Sequence, residues 1–287
     1  MCAVAGRVSG TVGTSGAGCR AARQDVPGRH AQNGVVGSAD QLTVTVTFAG
    51  SGDAFGSGGR FQACIHLRPD SAAPVLLDCG ATSLTALKRR GLDPGEVSVV
   101  FVSHLHGDHF GGLPFLVLDG QFSGRADPLT VVGPPGTTAR LHAAMECMFP
   151  GSSAARREFA IRVTELAPGS TLQAAGVEAA AWAADHPSGA PALCLRLTVG
   201  GKVIGYTGDT AWTGFLAQVA AGADLLIAEA YYRDKPVPYH LRLADLERHR
   251  DELASRRIIL THLSADMLNE QDQHNYETAS DGLALRI

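Results

Sequence analysis

The chain is predicted to fold as an α/β (α+β) protein of four layers, an αββα sandwich of two packed β-sheets with helices on both outer faces. Three observations carry this. Short β-branched runs lead into a stretch where strands and helices mix, and the same succession occurs a second time without any sequence repeat. Strand and helix do not alternate regularly enough for a doubly wound nucleotide-binding sheet. With 287 residues, 45% of them hydrophobic, the chain can bury a core of the size two sheets require.

Residues 42–48 alternate strictly and are rich in Thr and Val, the pattern of a strand. A glycine-rich loop follows over 49–60, then a second strand over 61–67 and a short buried strand over 75–78 that ends at Cys79-Gly80. Ser83 is placed to cap a helix that runs through Arg90 and closes at Gly91. The apolar run 97–103 is a strand that delivers the chain directly to His104. Helix resumes from Phe110, and residues 129–132 form a strand stopped by Gly133-Pro134-Pro135-Gly136. A helix covers 138–148. Strands follow over 159–166, 177–183, 192–199 and 203–207, then helix 214–220, strand 224–229, helix 241–254 and strand 257–261.

Composition excludes several classes. No run approaches the roughly 18 apolar residues of a membrane span, so a soluble, cytoplasmic protein is expected. The formal net charge is −4, without the broad basic surface of a non-specific nucleic-acid binder. The six cysteines form no Cys-x-x-Cys pair and read as small buried hydrophobes in a reducing compartment. Residues 1–40, rich in Gly, Ala, Ser and Arg, lack hydrophobic periodicity and the apolar core of a signal peptide. They read as a disordered arm, with 41–287 as the functional domain.

Chemistry concentrates at His104-Leu105-His106-Gly107-Asp108-His109. An extended exit from the strand turns His104 and His106 the same way. Gly107 permits a tight turn, and Asp108 and His109 then open a helix. Imidazole with carboxylate suits zinc, and also iron or manganese. One segment cannot supply a two-metal site alone. His186, Asp209 and His262 each follow an apolar run and precede a loop, where sheet proteins place functional side chains.

This ordered set, His104-x-His106-x-Asp108-His109, then His186, Asp209 and His262, resembles the metallo-β-lactamase superfamily from about residue 42 to the end. The resemblance implies the αββα sandwich of that type. It implies one metal on His104, His106 and His186, a second on Asp108, His109 and His262, and Asp209 bridging both. Asp209 stands where the antibiotic-hydrolysing members carry Cys, and His106 where the diiron redox members carry Glu, so hydrolysis on two divalent ions, zinc before manganese or iron, is favoured. Two metals sharing a water lower its pKa towards ~7 and make a bridging hydroxide nucleophile.

Further stretches resemble ribonuclease Z and its phosphodiesterase-like relatives: Gly50-Ser-Gly-Asp53, Leu76-Leu-Asp-Cys-Gly80, His109-Phe-Gly-Gly-Leu-Pro114, residues 128–136, Tyr206-Thr-Gly-Asp-Thr210, and Glu229-Ala with Tyr239-His240-Leu241. By that resemblance His240 assists the leaving group, and Glu229 and Asp108 join it as catalytic candidates. The tRNA-gripping arm of ribonuclease Z has no counterpart, because 137–159 reads as one helix and a short loop. The expected substrate is therefore a small or short phosphodiester rather than tRNA, and a homodimer is an allowed assembly. Alternatives are a carboxylic ester, lactone or thioester hydrolase on the same metals, an iron-dependent oxygenase or redox protein of this fold, and a non-catalytic metal binder. The loop 49–59 can cradle a phosphate through its N–H groups or simply flank the metals. Phe55, Phe110, Phe115, Trp212, Tyr231 and Tyr232 are candidates for pocket lining or core.

Overall fold

The computed structural model describes residues 43–270 and 274–287. The arm expected over 1–40 lies outside the described residues. In chain order the strands are β1 (Val44–Gly50), β2 (Cys64–Pro69), β3 (Val75–Leu77), β4 (Val99–Phe101), β5 (Leu129–Gly133) and β6 (Ile161–Glu165). There follow β7 (Thr171–Ala174), β8 (Val177–Ala183), β9 (Leu193–Val199), β10 (Lys202–Tyr206), β11 (Leu225–Glu229), β12 (Ile258–Thr261), β13 (Glu277–Thr278) and β14 (Ala284–Arg286). The helices are α1 (Ser83–Arg89), α2 (Gly107–Phe110), α3 (Leu113–Phe122), α4 (Thr137–Met148), α5 (Phe215–Ala220), α6 (Leu243–Arg248) and α7 (Ala265–Asn269).

The strands form two seven-stranded sheets, ordered β14-β1-β2-β3-β4-β5-β6 and β13-β12-β11-β10-β9-β8-β7. Each sheet changes from antiparallel to parallel pairing midway, at β3 in the first and β10 in the second. The inner faces meet in one apolar core. Phe48, Ile65, Leu67, Val99 and Phe101 come from the first sheet, and Leu195, Leu197, Ile204, Ile227 and Ile259 from the second. The outer face of the first sheet packs under α1, α3 and α4 through Leu76, Val100, Leu116 and Leu141, and that of the second under α5, α6 and α7 through Leu216, Leu226, Leu246 and Met267. In α4 the buried residues Thr137, Leu141 and Met145 recur every fourth position, which gives one face to the sheet and the other to water. These are the four layers expected from the sequence.

Local differences have physical reasons. Thr82, not Ser83, takes the N-cap position of α1, and its hydroxyl accepts from the Gln62 amide at 2.8 Å. The helix expected over 241–254 shortens to α6 and a 3-10 turn at Arg250–Glu252, because the Leu241 amide is extended towards the Glu229 carboxylate at 3.2 Å. Strand β7 was not legible: its residues are exposed or half-buried. It is fixed by a hairpin to β8 whose turn residues Ala175 and Gly176 both have positive φ. Among the described residues no helix is long and apolar enough to cross a membrane.

Candidate metal centre

The candidate metal ligands lie at or just beyond the carboxyl ends of strands, where open α/β sheets collect ligands, whereas His240 lies in the segment between β11 and α6. His104 follows β4. His106 is the extended residue before α2, with Asp108 and His109 in its single turn. His186 follows β8, Asp209 follows β10, Glu229 ends β11 and His262 follows β12. The structure brings all seven expected ligands together. His104, His106 and His186 form one group and Asp108, His109, Asp209 and His262 another, with the ligand atoms within each lying within 4.8 Å of one another. Asp209 reaches both: its Oδ2 is 3.8 Å from His104 Nε2 and 4.0 Å from His186 Nε2, and its Oδ1 is 3.3 Å from His109 Nε2. Asp108 Oδ2 lies 3.2 Å from Nε2 of both His109 and His262.

The donor set fits a cation. His104 Nε2, His109 Nε2 and Asp209 Oδ1 are buried and make no hydrogen bond. A buried polar atom left unpaired costs ~1–3 kcal/mol, so their convergence asks for a positive charge between them. Burial, with His109 and His186 nearby, holds the His104 imidazole well below its usual pKa, against Asp209 and Asp108. This favours the neutral ring at His104, the form that binds metal. Burial also acts on His109, but Asp209, Asp108 and Asp78 outweigh it and raise its pKa well above the usual value. Burial opposes ionisation of Asp209, yet His109 and His262 outweigh it and hold this carboxyl well below the usual range.

One residue with no role assigned from the sequence orients the group. Asp78 Oδ2 accepts from His109 Nδ1 at 2.6 Å, Ser103 Oγ at 2.8 Å and Tyr206 Oη at 2.8 Å, while Oδ1 accepts from the Ser103 amide at 2.7 Å. This fixes the His109 ring so that Nε2 faces the cluster. The sequence signals were an acid directly after a buried apolar run and its place in the ribonuclease Z-like stretch Leu76-Leu-Asp-Cys-Gly80, neither of which assigned it a role. Among the described non-glycine residues with positive φ, Asp78 (58°), Tyr239 (67°) and His262 (57°) all lie here. Such backbone strain gathers at functional sites. Tyr239 uses it to present its carbonyl to His186 Nδ1 at 3.0 Å.

Gly107 does not serve as the special turn residue expected. Its φ is not positive, and a Cβ there meets open space. The close approaches fall on Gly80, where a Cβ would sit 2.1 Å from the Asp108 carbonyl, and on Gly112, 2.2 Å from the Gly80 carbonyl.

Glu229 is buried. Its Oε2 accepts from the Thr210 amide at 3.0 Å and its Oε1 contacts His240 Nδ1. Burial and the Asp209 charge push the Glu229 carboxyl well above its usual range, and burial lowers the His240 imidazole. Both shifts disfavour separated charge across this contact. His240 opens into a cavity of about 320 Å³ with His106, Asp108, His186, Asp209 and His262, walled by Phe55, Tyr231 and Val237. Of the other aromatics, Phe110 is core and Phe115 is half-exposed on α3. Loop 49–59 borders this cavity through Ala54 and Phe55, and part of its amide set is taken up within the loop. Asp53 Oδ1 already takes the amides of Phe55 at 3.2 Å and Ser57 at 2.8 Å.

A family model described as Anti-Pycsar protein Apyc1 matches residues 44–280. The chain is 26% identical over 310 residues to ribonuclease Z of Haloferax volcanii, covering 86% of this chain and 96% of that protein. It is 41% identical over 98 residues to ribonuclease Z of Salinibacter ruber, covering 34% of this chain and 29% of that one. The chain spans less than half the length of this and two further ribonuclease Z relatives, matching 29%, 45% and 30% of them. Among solved structures, the short form of human tRNase Z is similar with a TM-score of 0.69 and 25% identity, over 84% of this chain and 98% of that chain. The metallo-β-lactamase fold protein YhfI of Bacillus subtilis matches with a TM-score of 0.70 and 19% identity, over 86% of this chain and all (100%) of that chain. The fold is the metallo-β-lactamase sandwich.

Proposed function

The chain belongs to the Anti-Pycsar protein Apyc1 family, and from that premise we propose that it is a metal-dependent hydrolase that cleaves a small or short phosphodiester. The observation that carries the reading is the Glu229–His240 pair standing in the same cavity as the Asp and His cluster. The likeness to ribonuclease Z proteins supports the phosphodiester over a carboxylic ester.

In this reading His104, His106 and His186 would hold one divalent ion and Asp108, His109 and His262 a second, with Asp209 within reach of both groups. Zinc suits the mixed imidazole and carboxylate donors best, with manganese or iron next. Bound there, the ions supply Lewis acidity and activated water near neutral pH. The chain does the rest. Asp78 keeps His109 in register, and the Tyr239 carbonyl keeps His186 in register. Glu229 is anchored by two backbone amides and fixes Nδ1 of His240, so the Nε2 edge faces the cavity and donates a proton to the leaving oxygen. The cavity volume of about 320 Å³, the formal charge of −4 and the single helix over Thr137–Met148 favour a small substrate over tRNA. Free, buried Cys64, Cys79 and Cys194 agree with a reducing, cytoplasmic setting.

The test is metal analysis of the purified protein together with a panel of bis(p-nitrophenyl) phosphate, lactones and thioesters. The expected outcome is bound metal, turnover of the diester, and a fall in kcat of about 10²–10⁴ in His240→Ala with metal content unchanged. Turnover of a lactone or thioester with the diester inert would replace the reading, and full activity in His240→Ala would remove the acid role.

A further inference from the structure

A cavity of about 450 Å³ is walled by three guanidiniums, those of Arg250, Arg256 and Arg257, together with Asn275, Tyr276 and Glu277. It lies at the amino end of β12, whereas His262 follows the carboxyl end of the same strand. No residue lines both this cavity and the one at the metal centre. The chain as a whole has a formal charge of −4, so three cations and one acid around a single concavity run against its overall balance.

The three arginines differ in what holds them. Arg257 Nε donates to Glu277 Oε1 at 2.7 Å and its Nη2 reaches Oε2, a two-pronged pair that occupies the cavity's one acid. Arg256 meets only Asp224 Oδ1, at 3.3 Å, with its side chain 79% exposed, and an ion pair so open to water is weak. Asp224 Oδ2 is already used by the Val203 amide at 2.9 Å. Arg250 forms no ion pair among the described residues, and its hydrogen bond runs from Nη1 to the Leu253 carbonyl at 3.3 Å. Tyr276 lies half-buried beside it. Burial raises the pKa of this phenol, with Arg250 opposing and Glu247 adding to the rise, so the hydroxyl keeps its proton and can donate it to an acceptor in the cavity. Two guanidiniums with donors to spare thus face one space, where their charges repel until an anion stands between them.

We propose that this cavity is an anion site, separate from the metal centre, that takes a phosphate group between Arg250 and Arg256. The charge count selects the ligand. A phosphate or phosphomonoester carries nearly two negative charges at neutral pH and matches two guanidiniums, whereas a single carboxylate matches one. Its oxygens point in several directions and accept from both arginines, from the Tyr276 hydroxyl and from the Asn275 amide, and guanidinium is the cation best shaped for phosphate oxygens. The free ion and the phosphate of a monoester share this chemistry. The site does not depend on the hydrolase reading, since none of its residues lines the cavity at the metal centre.

Two measurements on the full chain test this. In the first, inorganic phosphate is titrated into isotope-labelled wild-type protein and the arginine Nε–Hε signals are followed by NMR. Those of Arg250 and Arg256 should move together with a midpoint at or below about 1 mM, while that of Arg140, exposed and outside the cavity, stays in place. Still signals from Arg250 and Arg256, or an Arg140 signal that moves with the same midpoint, would overturn the proposal. In the second, the titration is repeated in Arg250→Ala and read at Arg256. Kd should rise about tenfold, the scale of one lost hydrogen bond to a charged group, and an unchanged Kd overturns the proposal. Methyl phosphate in place of phosphate separates the two sources: tighter binding assigns the site to a monoester, equal or weaker binding to the free ion, and binding of neither sinks the idea. Turnover of bis(p-nitrophenyl) phosphate should be the same in Arg250→Ala as in wild type. A protein inert towards diesters that still binds phosphate at Arg250 would defeat the hydrolase reading and leave this site standing.

Discussion

His66 sits inside β2, 1% exposed, with neither ring nitrogen bonded. Burial, helped by Arg68, lowers its pKa from 6.5 to about 4, against Glu96. The folded state therefore prefers the neutral ring. This preference is fully present above pH 6.5 and is lost as the pH falls towards 4. Over that window it amounts to about 3 kcal/mol. Urea unfolding of the wild type at pH 7 and pH 4 should differ from that of His66→Leu by roughly this amount, the variant losing less stability on acidification; parallel losses in the two proteins would contradict it. Asp78 illustrates the other residue-scale lesson, that a side chain can matter without meeting substrate. Asp78→Asn keeps the size and tolerates positive φ but removes the charge from the His109 contact. Metal affinity should fall about 10–100-fold, read by competition with a chromophoric chelator, with the far-UV CD spectrum unchanged.

At the scale of elements, the turn after β3 and the short helix α2 behave as one piece. The Cys79 amide donates to the His109 carbonyl at 2.7 Å, the Ala81 amide to Gly107 at 3.1 Å and the Gly112 amide to Cys79 at 2.8 Å. Gly80→Ala would drive a Cβ to 2.1 Å from the Asp108 carbonyl. It should cost about 1–3 kcal/mol and lower metal content, whereas Gly107→Ala, with open space around the added carbon, should leave melting temperature and metal content near wild type. Differential scanning calorimetry and metal analysis of the pair decide this. The histidines and aspartates from 104 to 109 and at 186, 209 and 262 were legible because each follows an apolar strand whose direction the alternation pattern reveals. The roles of Asp78 and Tyr239 were not, since they depend on positive φ and on partners 31 and 53 residues away. The edge strand β7 was missed for a related reason: an exposed strand has no buried face to impose a pattern.

For the whole molecule, the cluster lies at the carboxyl ends of strands from both sheets, and several of its buried polar atoms make no hydrogen bond. Zinc added to chelator-treated protein at about a thousandfold excess over its Kd should stabilise it by about 4 kcal/mol, raising Tm by about 10 °C in a domain of this size; a melting curve indifferent to zinc would argue against a resident metal. The sandwich itself could be read from the sequence because the strand-and-helix succession occurs twice, whereas the closing strands β13 and β14 are too short, at 2 and 3 residues, to leave a periodic trace. Four of the clustered side chains, from His104 to His109, follow the first sheet, while His186, Asp209 and His262 follow strands of the second. During synthesis the ribosome therefore releases two incomplete sets, and neither group closes until residue 186 or 262 has emerged and docked. A chain that ended before β12 would lack His262 and leave the group of Asp108, His109 and Asp209 without its fourth member.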